Sequence, residues 1–150
     1  MTTLQKGDKA PNFTAIDQDG ITHSLADYKG RKLVVFFYPK ANTPTCTVEV
    51  CNFRDNFQRF KDKNYTLLGV SADKPKAQGN FKKKFDLPFP LLADEDKSVI
   101  EAFGVWGPKK FMGREYDGIH RTTFIINEKG IIEEVITDVK SKIHSDQILK

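Results

Sequence analysis

The segment Leu33-Val34-Val35-Phe36-Phe37-Tyr38 is apolar at every position, and Pro39 and Lys40 end it at once. Successive side chains of a strand point to opposite faces, so a run without polar alternation predicts a buried central strand covered by helices on each side. It is far too short for the roughly 18 apolar residues of a membrane span, and no other stretch approaches that length. The chain has 150 residues, 39% hydrophobic and 29% charged, which fits one ordinary globular domain over residues 1–150. A core of that size needs no disulfide or metal staple, which leaves both cysteines free for chemistry.

The surrounding pattern supplies the rest of a layered α/β domain with a mixed sheet. Phe13 to Ile16 and Ile21 to Ser24, joined by Asp17-Gln18-Asp19-Gly20, read as an N-terminal hairpin. Thr43-Pro44 is a helix start, with threonine as the expected cap and proline at the first helical position. Cys46, Val50, Phe53, Phe57 and Phe60 then form one apolar stripe, while Glu49, Arg54, Asp55, Gln58 and Arg59 are expected in other directions. Tyr65 to Val70 reads as a second buried strand, Pro75 to Phe85 as a helix, and Leu91-Leu92 as a short strand. A brief helix around Lys97 to Phe103 ends at Gly104. Thr122 to Ile126 and Ile131 to Thr137 make a hairpin, and a short helix follows Ser141.

The formal charge of +4 raises the question of nucleic acid, but the cations are dispersed among acids, as in Lys61-Asp62-Lys63. The densest cluster, Lys82-Lys83-Lys84, lies between Phe81 and Phe85 and reads as the solvated face of a helix. The expectation is no nucleic-acid partner and no membrane. The first residues carry Lys6, Asp8 and Lys9 without an apolar core, so no export signal is read there and the expected location is cytoplasmic. Two close cysteines in a reducing compartment point to redox chemistry or metal binding, not to a structural bridge.

Cys46 falls in the first turn of the helix that opens at Thr43-Pro44, where unpaired N–H groups and the helix dipole favour a thiolate. Burial without polar partners would oppose that ionisation. Cys51 follows five positions later, which in an ideal helix puts the two Cα atoms roughly 8.7 Å apart, beyond the limit of about 7 Å for an unstrained disulfide. The pair cannot bond while the helix is intact, so a disulfide requires its first turns to unwind. Inert core filling is the competing reading, because free cysteine is among the most buried residue types. A metal site is disfavoured, since the pair lacks a second pair of ligands and His23, His120 and His144 are scattered. A Cys-x-x-Cys redox motif is absent.

Pro39-x-x-x-Thr43-x-x-Cys46 matches the active-site motif of the peroxiredoxins. Cys51 followed by Phe53-Arg54-Asp55 resembles the peroxiredoxin Q, or bacterioferritin comigratory protein, subgroup. The likeness continues through Gly69-Val70-Ser71, Leu87-Pro88-Phe89 and Gly104-Val105-Trp106 to Gly118-Ile119-His120-Arg121-Thr122-Thr123-Phe124, nearly the whole chain.

This resemblance implies a thioredoxin-like fold and a cofactor-free, metal-free thiol peroxidase acting on hydrogen peroxide and organic hydroperoxides. Cys46 would be the peroxidatic cysteine and Cys51 the resolving one, with thioredoxin reducing their disulfide and the protein acting as a monomer. Thr43 would bind the peroxide, Pro39 shield the thiolate, and Arg121 stabilise both the thiolate and the leaving oxygen. Bland readings remain for each: a helix cap, a strand stop and a surface ion pair. Trp106 and Phe111 are read either as the entrance to the site or as core. Ala41, Thr45 and Val50 depart from the usual acid, glycine and alanine, and the last two are β-branched beside the thiols, which bears on how readily the helix unwinds. Two rivals stand beside this reading: a general thiol-disulfide reductase, and a basic nucleic-acid- or protein-binding domain without thiol chemistry.

Overall fold

The computed structural model describes residues 2–150. After a hairpin of β1 (Thr14–Ile16) and β2 (Thr22–Ser24) and a 3-10 turn at Leu25–Tyr28 comes β3 (Lys32–Phe37). Then follow α1 (Pro44–Asp55), α2 (Phe57–Asp62), β4 (Tyr65–Ser71), α3 (Pro75–Lys84), β5 (Leu91–Ala93) and α4 (Ser98–Ala102). A second hairpin, β6 (Trp106–Phe111) with β7 (Arg114–Ile119), precedes β8 (Thr122–Ile126) and β9 (Ile132–Ile136), and α5 (His144–Leu149) ends the chain.

The five-stranded sheet runs β5-β4-β3-β8-β9, so the wholly apolar strand lies at its centre. It pairs parallel with β4 and antiparallel with β8, giving the expected mixed sheet. Alternate residues of β3 enter two different cores. Leu33, Val35 and Phe37 pack with Phe103 of the α4 end and Phe124. Val34, Phe36 and Tyr38 pack with Cys46, Val50 and Phe53 of α1 and with Phe60, Phe81 and Ile148. This is the physical content of the unalternated sequence: each face of the strand has its own partner layer.

Three expectations need correction. The helix after Thr43 does not run unbroken to Phe60: it stops at Asp55 and restarts at Phe57, with Asn56 between them off helical geometry at φ -109° and its side-chain amide donating to the Asn52 carbonyl at 2.8 Å. Glu49 does not point away from the core but is fully buried. The β6–β7 hairpin was not foreseen as strands, since Trp106-Gly-Pro-Lys-Lys-Phe111 has no apolar alternation and most of the hairpin is exposed. Lys83 and Lys84 are exposed on α3 while Phe81 is buried, so the lysine cluster is a solvated face. No helix among the described residues is long and apolar enough to cross a membrane.

A buried polar chain fixes the loop ahead of α1. Tyr38 donates its hydroxyl to Gln78 Oε1 at 2.6 Å, and Gln78 Nε2 donates to Ser71 Oγ and the Leu92 carbonyl. Ser71 donates to Asp73 Oδ2, which also accepts the Ala41 N–H at 2.7 Å.

Candidate active site

Cys46 stands at the third position of α1, with Thr43 as the N-cap residue and Pro44 opening the helix. Its sulfur is drawn into the core by the stripe that includes Val50 and Phe53, and the residue is 1% exposed. A buried thiol without polar neighbours would resist ionisation. Here Arg121, which immediately precedes β8, donates from Nη2 to Sγ at 3.1 Å. The same guanidinium donates from Nη1 to Glu49 Oε1 at 2.6 Å. One cation thus bridges the sulfur and a buried carboxyl on the next turn of the same helix face.

Thr43 corrects an expectation. Its side chain makes no bond to the helix N–H groups; the hydroxyl turns back and donates to the Lys40 carbonyl at 2.8 Å. The oxygen is directed away from the helix, so the first turn keeps N–H groups without a side-chain acceptor. Because its one proton is committed, Thr43 Oγ1 can only accept from a further ligand. Pro39 is half-buried in the same loop, directly after the buried Tyr38.

Cys51 lies further along α1, half-buried, and both cysteines are free thiols. With α1 continuous from Pro44 to Asp55, the helical spacing holds the two apart. Trp106 packs against the core, with the Lys97 ammonium 5.0 Å from its ring centroid, whereas Phe111 is 65% exposed near the end of its hairpin.

Three residues of this region were not anticipated. Glu49 is three positions after Cys46, a spacing that shares a helix face, and that was the available signal. Burial pushes its carboxyl up to about 7 although Arg121 opposes the shift. His144 of α5 is fully buried with Nε2 3.8 Å from Glu49 Oε2, and burial holds it down to about 4. No local pattern marked it. Lys109 of β6 donates to the Ile119 carbonyl at 2.9 Å, and burial, then the charge of Arg121, push its ammonium below the usual lysine range while Cys46 opposes this. Among the described residues no group of three or more His, Cys, Asp or Glu side chains could hold a metal ion.

The arrangement supplies a sulfur at a helix N-terminus, a permanent cation on it, unpaired N–H donors and a nearby hydroxyl oxygen. Groups of these kinds can meet negative charge on a sulfur or on an oxygen beside it. The AhpC/TSA family pattern matches residues 6–135. Peroxiredoxin Bcp of Escherichia coli is 49% identical over 149 residues, covering 99% of this chain and 96% of that protein. A crystal structure of a Xylella fastidiosa PrxQ variant superposes with a TM-score of 0.92 at 32% identity, over 99% of this chain and 95% of the other. Xanthomonas campestris Peroxiredoxin Q gives a TM-score of 0.86 at 34% identity, over 91% and 87%. The thioredoxin-like fold, the mixed sheet and the N-terminal hairpin agree with these relatives, and the chain belongs to the AhpC/TSA family, among its peroxiredoxins of the Bcp or PrxQ kind.

Proposed function

We propose that Cys46 is the peroxidatic cysteine, Cys51 the resolving cysteine and thioredoxin the reductant of this enzyme, which works as a cytoplasmic monomer. As a peroxiredoxin the chain is a thiol peroxidase, an oxidoreductase acting on hydroperoxides. The observation that carries the residue assignment is the 3.1 Å contact between Arg121 Nη2 and Cys46 Sγ in the first turn of α1.

In this reading the Cys46 thiolate attacks one oxygen of the hydroperoxide. The O–O bond breaks, the second oxygen leaves as alkoxide or hydroxide and takes a proton, and the sulfur becomes a sulfenic acid. The free N–H groups of the first turn and the Arg121 guanidinium meet the developing negative charge. Thr43 Oγ1 accepts the hydroperoxide O–H, since its own proton is held by the Lys40 carbonyl. Pro39 limits water at the sulfur. Residues 46 to 51 then unwind, the Cys51 thiolate attacks the Cys46 sulfenic sulfur, and water leaves as the disulfide forms. Thiol-disulfide exchange with thioredoxin restores the two thiols.

Peroxide consumption driven by thioredoxin and its reductase tests the assignment. The natural chain turns over and Cys46→Ser does not. Equal consumption by the variant places the reacting group elsewhere.

A further inference from the structure

Among the described residues, Glu49 Oε2 is the one buried side-chain nitrogen or oxygen without a hydrogen-bond partner. It belongs to a cluster in which a single guanidinium serves two acidic groups, Cys46 Sγ at 3.1 Å and Glu49 Oε1 at 2.6 Å. If both were ionised, the one cation in contact with them would face two negative charges, with Lys109 acting only from a distance and bonded to the Ile119 carbonyl, which a low-dielectric interior opposes. A proton kept on one of the two matches the single guanidinium that touches them.

The surroundings of Oε2 indicate which. The polar atom beside it is His144 Nε2, at 3.8 Å. Gln147 fixes the state of that ring: its amide Nε2 donates to the Asp138 carbonyl and its Oε1 accepts the Lys140 N–H, so Oε1 is the atom facing His144 Nδ1 at 2.6 Å. Nδ1 therefore carries the imidazole proton, by assignment from this network. With the ring held neutral by burial, Nε2 is a bare acceptor and takes the Thr123 hydroxyl at 2.7 Å. Its one lone pair is thereby engaged and it has no proton to offer, so no donor reaches Glu49 Oε2. A charged oxygen would be buried there without a single donor, which costs far more than burying a neutral carboxyl O–H.

The geometry points to Glu49 working as a neutral carboxylic acid that carries its proton on Oε2, positions Arg121 by accepting through Oε1, and leaves that cation's charge to the Cys46 sulfur. The inference rests on reading Cys46 as the reacting thiol. The groups facing Glu49 are Cys46 on its own helix, Arg121 ahead of β8 and His144 on α5, while Lys109 acts on Arg121 and Cys46 from β6. The upward displacement of the Glu49 carboxyl to about 7 agrees with a held proton. When Glu49 ionises above neutrality, Arg121 is shared with a second anion and stabilises the leaving oxygen less well.

Two measurements on the full chain test this separately from the peroxidase assignment. Infrared difference spectra of the natural chain and Glu49→Gln at about pH 6 should show a protonated-carboxyl carbonyl band that the variant lacks; no such band overturns the proposal. This readout stands even if Cys46→Ser retains peroxidase activity. The rate of thiol oxidation by peroxide should decline on the alkaline side in the natural chain. In Glu49→Gln that decline is lost, giving a rate about threefold above the natural chain near pH 8.5. Glu49→Ala removes the seat of Arg121 and is slower at every pH, by on the order of tenfold or more. If Glu49→Gln is as slow as Glu49→Ala throughout, the negative charge itself is required and the proposal fails.

Discussion

Ser145 is bonded twice to Asn52: its N–H donates to Asn52 Oδ1 at 2.8 Å and its hydroxyl donates to the Asn52 carbonyl at 3.2 Å. Asn52 Nδ2 returns a bond to the Lys142 carbonyl at 3.0 Å. The residue next to Cys51 is therefore clamped by the C-terminal segment, while the first turn of α1 at Cys46 has no side-chain cap. The two ends of the helix that carries both thiols are held unequally, so unwinding is expected to start at the Cys46 end.

Asn52→Ala removes the side-chain half of this clamp. Stability should fall by about 1–3 kcal/mol in urea unfolding, and Cys51 should react faster with an alkylating agent in the folded protein. An unchanged midpoint and an unchanged alkylation rate would show that the C-terminal segment does not restrain α1.

Cys51→Ser should leave the first oxidation intact and abolish turnover with thioredoxin, with the sulfenic acid at Cys46 detected by mass spectrometry or trapped by a dimedone-type reagent. Full turnover in the variant would mean that an external thiol resolves the intermediate.

Arg121→Ala should slow oxidation of Cys46 by on the order of 10²–10³, because a donor aimed at both the sulfur and the leaving oxygen is gone. Arg121→Lys should recover little, since an ammonium cannot fork between Sγ and Glu49 as the guanidinium does. Stopped-flow oxidation and the rate of Cys46 alkylation at neutral pH measure both. Natural rates in the lysine variant would reduce Arg121 to a simple charge.

Two buried groups give stability opposite slopes with pH. His144 is displaced from 6.5 down to about 4, so as pH falls through that interval the unfolded chain binds a proton that the folded one refuses, and stability is lost. Glu49 is displaced from 4.5 up to about 7, so across that interval the folded chain holds a proton the unfolded one has released, and stability falls as pH rises. Relative to His144→Gln, the natural chain should lose up to about 3 kcal/mol between pH 6.5 and 4 in a series of urea titrations. A difference that stays flat would contradict a buried neutral imidazole.

The central strand was legible because burial on two faces erases alternation, and Leu33 to Tyr38 shows none. The start of α1 was legible from Thr43-Pro44, since backbone chemistry there is local. The direction of the Thr43 hydroxyl was not: whether it turns to the helix or to the Lys40 carbonyl depends on the loop conformation that Asp73 imposes through Ala41. Glu49 was misread because a charged residue on an amphipathic helix is ordinarily solvated. Its burial depends on Arg121, 72 residues later, a pairing that no local pattern encodes. His144 is hidden for the same reason, its partners Glu49 and Thr123 coming from other elements. The β6–β7 hairpin escaped because its strands bury little and carry no apolar period.

The tie from Asp73 to the Ala41 N–H has a consequence for the redox cycle. Together with the bonds at Asn52, it fences the rearranging stretch on both sides, upstream at residue 41 and downstream at residue 52. The central strand and the core on its far side lie outside that fence, whereas Cys46 and Val50 inside it belong to the nearer core. In the proposed cycle, unwinding between these anchors would draw Cys46 and Val50 out of their core, so the cost of lifting those two side chains sets how readily the hinge works, and the anchors would guide the return.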